Sequence, residues 1–164
     1  MFVSVGSMMP FDRLCRAMDE WAAANPDVAV EIQIGKGSYE PRHAKWVRKL
    51  ALADYQQRVA GCALFVAHCG MGSIISAIQA GKPILMLPRL QAQGEHNTDH
   101  QLATARHVGV RPGLHLAADA DDLKVRASTL LASIGSAGVG APAPIAAHAD
   151  PAFTARIRAF IEAV

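Results

Sequence analysis

Residues 63–75 restrict the fold more than any other stretch, because five apolar residues lead to His68, two glycines and a helical pattern. A short apolar run bounded by glycines predicts a buried strand. Gly70 and Gly72 permit a tight turn and the close approach of a ligand, and Ser73 is expected to cap the helix that follows. Unpaired N–H groups and the helix dipole at such a joint attract anions. An ordinary strand–turn–helix joint fits the same glycine pattern, so both interpretations stay open.

Size and composition favour one domain in a reducing compartment. The 164 residues can form a full core, and they lack the apolar run of about 18 residues that a transmembrane helix needs. The first residues include no basic segment, so we expect no signal peptide. The spacings of Cys15, Cys62 and Cys69 form neither a disulfide framework nor a zinc motif, which favours the cytoplasm. A net charge of +2 gives no support for nucleic-acid binding.

Strand and helix patterns alternate along the chain. Among the helix signals, Pro10 suits a first turn, Asp54 suits a cap, and Asp119 with Asp122 suits a capping box. This alternation predicts an α/β fold with a doubly wound, mostly parallel sheet covered by helices on both faces. Right-handed crossovers favour the strand order 3-2-1-4-5-6. The predicted strands are residues 2–5, 28–34, 46–47, 63–67, 84–87 and 114–116.

The C-terminal part of the chain differs in composition. We expect residues 1–134 to form the domain, residues 135–150, rich in Gly, Ala and Pro, to form a flexible linker, and residues 151–164 to form an amphipathic helix. This helix is either a docking surface for a partner or packs back on the sheet. Its apolar stripe consists of Phe153, Ile157, Phe160, Ile161 and Val164.

The predicted strand order brings three loops to one cleft. The first and fourth strands are neighbours where the winding reverses, and ligands bind at such a point, outside the carboxyl ends of the strands. Gly6 and Ser7 follow the first strand, residues 68–73 follow the fourth, and the segment from Pro88 onward follows the fifth. We therefore expect a ligand site where these polar, glycine-marked loops converge.

Common nucleotide and metal motifs are incomplete in these loops. Ile75 occupies the third glycine position of the dinucleotide fingerprint, and Arg89 stands where its acidic residue would be. A metal-binding interpretation of His96 and His100 lacks both the glutamate that directly follows the first histidine of a zincin helix and a third ligand. The polar side chains of this segment instead suit a hydroxyl-rich ligand such as a ribose or a hexose.

Several segments resemble the C-terminal domain of glycosyltransferase family 28, over about residues 1–118. They are FVSVGS at 2–7, PFDRL at 10–14, HCGMGSI at 68–74, AGKPI at 80–84, PR at 88–89, GEH at 94–96 and HQLA at 100–103. Within this family the chain is most similar to small bacterial subunits of polysaccharide synthesis, and to the catalytic subunit of the eukaryotic UDP-GlcNAc transferase that makes dolichol-linked chitobiose.

The resemblance implies a Rossmann-like half of a GT-B glycosyltransferase that binds a UDP-sugar and needs no metal or other cofactor. It places the diphosphate at Gly6, Ser7 and residues 70–73, and the sugar and ribose at residues 95–101. Many relatives carry a ribose-clamping glutamate where this chain has Ser76. The expected substrate-binding residues are Gly6, Ser7, His68, Gly70, Met71, Gly72, Ser73, Ser76, Arg89, Glu95, His96, Asp99, His100 and Gln101.

The resemblance further implies the donor-binding, catalytic subunit of a two-component inverting enzyme. This UDP-sugar-dependent hexosyltransferase would act with a membrane-anchored partner that binds a lipid-linked saccharide, at the cytoplasmic face of the membrane, in cell-surface polysaccharide synthesis. Its general base is unassigned, with Glu95, His96 and His68 as candidates. One half of a UDP-sugar epimerase and a nucleotide-binding regulatory subunit without catalysis stay open as alternatives.

Overall fold

A computed structural model describes residues 1–108, 111–135, 140–144 and 150–162. Six parallel strands form one sheet in the order β3-β2-β1-β4-β5-β6, which confirms the predicted order. The strands are β1 (Phe2–Ser4), β2 (Glu31–Gln33), β3 (Lys45–Val47), β4 (Phe65–His68), β5 (Ile84–Leu87) and β6 (Leu114–Leu116). The helices are α1 (Asp12–Ala24), α2 (Leu52–Gly61), α3 (Met71–Ala80), α4 (His100–Val108), α5 (Ala120–Gly135) and α6 (Pro151–Glu162).

Helices cover both faces of the sheet, since its central strands are buried on both sides. The first core lies between the sheet and the helices α1 and α5; its members include Val3, Leu14, Ile32, Val66 and Leu123. The second core lies between the sheet and the helices α2 and α3; its members include Phe2, Val59, Phe65, Ile74 and Met86. β1 and β2 are shorter than predicted, because only three residue pairs join them.

Three predicted helix starts are wrong by a few residues. Gly70 is the N-cap of α3, so Ser73 lies inside the first turn. Asp54 likewise lies in the first turn of α2, and Pro10 precedes α1. In none of these three helices does a first-turn N–H group donate to a capping side chain. The backbone path out of the preceding loop therefore decides where each helix begins.

The predicted capping box at the start of α5 is confirmed, with one bond displaced. The Asp122 N–H donates to Asp119 Oδ1 over 2.8 Å. The Asp122 carboxylate accepts a 2.9 Å bond from the N–H of Ala118 rather than from that of Asp119. These bonds satisfy N–H groups that a helix start leaves without an internal partner.

The predicted linker is described only in part, because residues 136–139 and 145–149 lie outside the described residues. In the described part, Pro142 is buried against Gly113. A Cβ at position 113 would lie 2.5 Å from the Pro142 nitrogen, and the φ of Gly113 is +75°. Packing and backbone conformation therefore both require glycine here. The domain boundaries stay a prediction.

The apolar stripe of α6 is open to solvent. Every described residue of this helix is exposed, and Phe160 and Ile161 are 72% and 67% exposed. Val164 lies outside the described residues. The alternative in which the helix packs on the sheet is therefore wrong for residues 151–162.

In the described ranges, no helix combines the length and the apolar character that crossing a bilayer requires.

Candidate functional site

A cavity of about 360 Å³ lies at the carboxyl edge of the sheet, beside β1, β2, α2 and α3. Two separate loops with predicted binding residues meet here, as the strand order requires. The predicted residues that line it are Gly6, Ser7, Gly72, Ser73 and Ser76, and the others are Gln33, Leu50, Leu52 and Tyr55. The described residues that form this wall carry no formal charge.

The N-terminus of α3 lies at this cavity. N–H groups in the first turn of a helix have no partner within the helix, and the helix dipole adds positive potential. A Cβ built on Gly72 meets no atom of the described residues within 4 Å. The space in front of this turn is therefore open, and an anion placed there would be held by backbone N–H groups.

His68 is wedged between the two loops that flank the cavity. A Cβ on Gly6 would lie 2.6 Å from His68 Cε1, and a Cβ on Gly70 would lie 2.3 Å from His68 Nε2. Burial, and next the positive charge of Arg89, lower the pKa of His68 to about 4. The imidazole is therefore neutral near pH 7 and a weak base. It supports the loops, and its predicted contact with ligand stays a prediction.

Arg89 ties the loop after β1 to the loop after β5. Its guanidinium, in a residue only 2% exposed, donates to the carbonyls of Val5 (2.6 Å), Met9 (2.8 Å) and Glu95 (3.1 Å). It also donates to the carbonyl of Pro10. The structure thus uses this side chain to shape the Gly6 loop, whereas the sequence predicted that it binds ligand directly.

Glu95 and Gln101 also face into the protein. Both oxygens of Glu95 accept 2.8 Å bonds from Arg13, and one of them accepts a 2.9 Å bond from the Leu90 N–H. Gln101, which is 3% exposed, accepts the N–H of Arg89 over 3.1 Å. The idea that Glu95 replaces the missing ribose-clamping carboxylate does not fit this arrangement, since a bidentate ion pair with Arg13 already engages the Glu95 carboxylate.

The rest of the predicted sugar-binding segment lies at the surface. The rings of His96 and His100 are edge-to-face with centroids 4.3 Å apart, and the Thr98 hydroxyl lies 2.7 Å from His100 Nδ1. Asp99 accepts a 2.8 Å bond from the Gln91 N–H.

Across the described ranges, no three His, Cys, Asp or Glu side chains are grouped as a metal site would need.

Sequence reasoning missed three polar residues of the cavity region. The Ser4 hydroxyl accepts the Gly6 N–H over 3.1 Å and lies 2.8 Å from Gln33 Oε1. The Tyr55 hydroxyl interacts with the hydroxyls of Ser76, Ser73 and Ser4; burial nevertheless raises its pKa. A signal was present, because Ser4 and Gln33 are polar residues inside strands that alternation predicts to be buried.

A wider depression of about 870 Å³ lies away from the strand ends, between α1 and the segment that precedes β3. Its principal carboxylate, Asp19, is 1% exposed and accepts 2.8–2.9 Å bonds from the Tyr39 hydroxyl and from three backbone N–H groups. Burial acts to raise the pKa of Asp19, but these bonds lower it overall. Asp19 therefore organises this segment, and the cavity at the strand ends remains the better candidate site.

Comparisons with known proteins give a family for the part of the chain that forms this cavity. The sequence profile of the glycosyltransferase family 28 C-terminal domain matches residues 1–124. No curated protein matches the chain. The solved glycotransferase of kitacinnamycin is 17% identical with a TM-score of 0.54, over 96% of this chain and 37% of that chain. Spinosyn forosaminyltransferase SpnP is 16% identical with a TM-score of 0.54, over 84% of this chain and 36% of that chain. The chain therefore spans little more than a third of either structure, and both show its fold.

Proposed function

Because the chain belongs to the family of glycosyltransferase family 28 C-terminal domains, we propose that it is the donor-binding part of a glycosyltransferase. The observation that carries this proposal is the cavity at the strand ends, where the Gly6 loop meets the first turn of α3. Its wall offers hydroxyls and lies against backbone N–H groups, which bind a diphosphate without a cationic side chain. A UDP-sugar is the donor that we propose.

The shape of the cavity supports a nucleotide in particular. Leu50, Leu52 and the ring of Tyr55 supply an apolar wall in the same cavity as Gly6 and Ser7. A planar base packs well on such a wall, while its diphosphate reaches the glycine loops. The sugar would then extend towards residues 95–101, where His96, Asp99 and His100 lie at the surface.

The reaction that we propose is an inverting transfer. The acceptor oxygen forms a bond to the anomeric carbon, and the bond from that carbon to the diphosphate breaks. UDP leaves with the bonding electrons, and the acceptor proton passes to a general base. The N–H groups at the start of α3 stabilise the charge that develops on the departing diphosphate. A partner subunit supplies the base in this proposal, because an ion pair with Arg13 engages Glu95 and burial lowers the pKa of both His68 and His96.

We further propose that the acceptor is a lipid-linked saccharide and that a membrane-anchored partner subunit binds it, in cell-surface polysaccharide synthesis. Apolar side chains exposed near the strand ends support a protein partner there, including Met8 at 79%, Leu52 at 72% and Met71 at 54%. The open stripe of α6 offers a second contact surface. Exposed large apolar side chains of this kind are typical of interaction surfaces.

Ligand binding tests the first step of this proposal. UDP should raise the melting temperature of the protein and give a measurable Kd by calorimetry. Gly72→Trp should abolish both effects by filling the cavity, without unfolding the protein, because the space around Gly72 is open. Gly61→Trp is the matched control, since Gly61 also has open space around it but does not line the cavity. Absence of UDP binding at millimolar concentration would overturn the proposal.

Turnover tests the second step. Co-expression with a candidate membrane partner, followed by incubation with radiolabelled UDP-sugars, should transfer label to a lipid-soluble product. The Gly72→Trp variant should lose this transfer in the co-purified pair. Conversion of a UDP-sugar to its epimer without any acceptor would contradict a transferase. A pair that stays fully active after Gly72→Trp would mean that this chain has no catalytic role.

A further inference from the structure

We propose that Gln33 contacts the bound nucleotide, donating a hydrogen bond from its side-chain NH2 group to an oxygen acceptor of the ligand. This inference rests on the proposed function and adds a residue that determines specificity. Gln33 lies at the end of β2, in register with Ser4 of β1. It is 8% exposed and lines the cavity.

In the structure, the oxygen end of the Gln33 carboxamide is directed to Ser4. Ser4 Oγ accepts the N–H of Gly6, and its own single proton is donated to Gln33 Oε1 over 2.8 Å. The carboxamide oxygen is therefore occupied. Among the described residues, no hydrogen-bond partner is recorded for the NH2 group, which is the part of Gln33 that can bind a ligand.

The NH2 group has no partner within the described part of the chain and is not fully buried, so an acceptor on a ligand would replace water at this donor. Gln33 lies between the Gly6 loop, which would hold phosphates, and the apolar wall of Leu50, Leu52 and Tyr55, which would hold a base. An acceptor oxygen comes from the diphosphate or from a base carbonyl. Both sources share the same chemistry, an oxygen that accepts and does not donate.

The sharpest variant is Gln33→Glu, which keeps the shape and the oxygen that accepts from Ser4 but replaces the NH2 group by a second acceptor oxygen. We expect it to weaken UDP binding at least about tenfold. Gln33→Leu, which removes the amide without adding charge, should also weaken binding about tenfold. Melting temperatures without ligand show whether each variant is folded, and either folded variant suffices for the test.

Comparing the two Gln33 variants controls for a purely structural role, because Gln33→Leu loses the bond to Ser4 whereas Gln33→Glu keeps it. A loss of UDP binding in Gln33→Leu that is absent from Gln33→Glu would overturn the inference. Gln57→Leu, on the exposed side of α2, should leave the Kd unchanged.

UDP and ADP together identify the source of the acceptor, since they share the diphosphate and adenine has no carbonyl oxygen. If Gln33 donates to a phosphate, Gln33→Leu weakens both ligands by the same factor; if it donates to the base, only UDP binding weakens. Unchanged binding of UDP to every Gln33 variant overturns this inference alone. Absence of UDP binding to the unsubstituted protein overturns the proposed function as well.

Discussion

The two sides of the cleft use their polar groups differently. On the side that follows β5, the charged and amide groups of Arg89, Glu95 and Gln101 bind other parts of the chain. On the side of β1 and α3, small residues leave a cavity whose donors are N–H groups, hydroxyls and one carboxamide. Buried charges must be paired, so the charged side chains shape the loops and leave the uncharged donors available to a ligand.

Replacing Arg89 should have the largest effect. Arg89→Met removes the donor of four carbonyl groups, two of them on buried residues, so we expect the free energy of unfolding in urea to fall by about 4 kcal/mol or more. Arg106→Met, on the exposed side of α4, should change it by less than about 0.5 kcal/mol. A folded, fully stable Arg89→Met protein that loses UDP binding would instead support a direct contact with ligand.

The neutral state of His68 predicts a pH dependence. Its pKa is about 4 in the folded protein and about 6.5 in the unfolded chain, so between these values only the unfolded chain binds the proton. The free energy of unfolding should therefore fall as pH is lowered from about 6.5 to 4, by at most about 3 kcal/mol. Urea titrations across this range should show a smaller fall in His68→Gln. If the free energy of unfolding falls equally steeply with pH in both proteins, a group other than His68 takes up the proton.

Two neighbouring glycines should behave in opposite ways. Gly70→Ala drives a methyl group into the wedged ring of His68 and should destabilise the protein by about 2 kcal/mol. The methyl group that Gly72→Ala adds within α3 would point into open space, so this variant should be neutral or stabilising by up to about 0.5 kcal/mol. Thermal and urea unfolding of the two variants measure this difference. Equal destabilisation would mean that Gly72 is also packed against the protein.

The smallest effect is expected at Glu95. Glu95→Gln weakens the bidentate pair with Arg13 and should lower the free energy of unfolding by about 1 kcal/mol. The Kd for UDP should stay within about twofold, because both oxygens of the carboxylate face Arg13 and not the cavity. A tenfold weaker Kd with unchanged stability would show instead that Glu95 binds the ribose.

Much of the fold follows from local patterns. Alternation of apolar residues and the glycines after the strands predicted the six strands, their order and the edge where Gly6, Ser7 and Gly72 meet. Local patterns predicted no structure for the segment that precedes β3, because Asp19 organises it from α1 through bonds to backbone N–H groups. A helix residue that shapes a distant loop leaves no local pattern in the sequence.

Local sequence patterns suffice to predict the architecture and the position of the cleft, because chirality and strand periodicity act locally and allow few topologies. The polar residues that face that cleft depend instead on contacts between distant parts of the chain. Arg89 and Val5 are separated by 84 residues and Arg13 and Glu95 by 82. Such distant partners meet only after folding. The need to pair buried charges then turns these side chains into the protein, and Gln33 is left at the cavity.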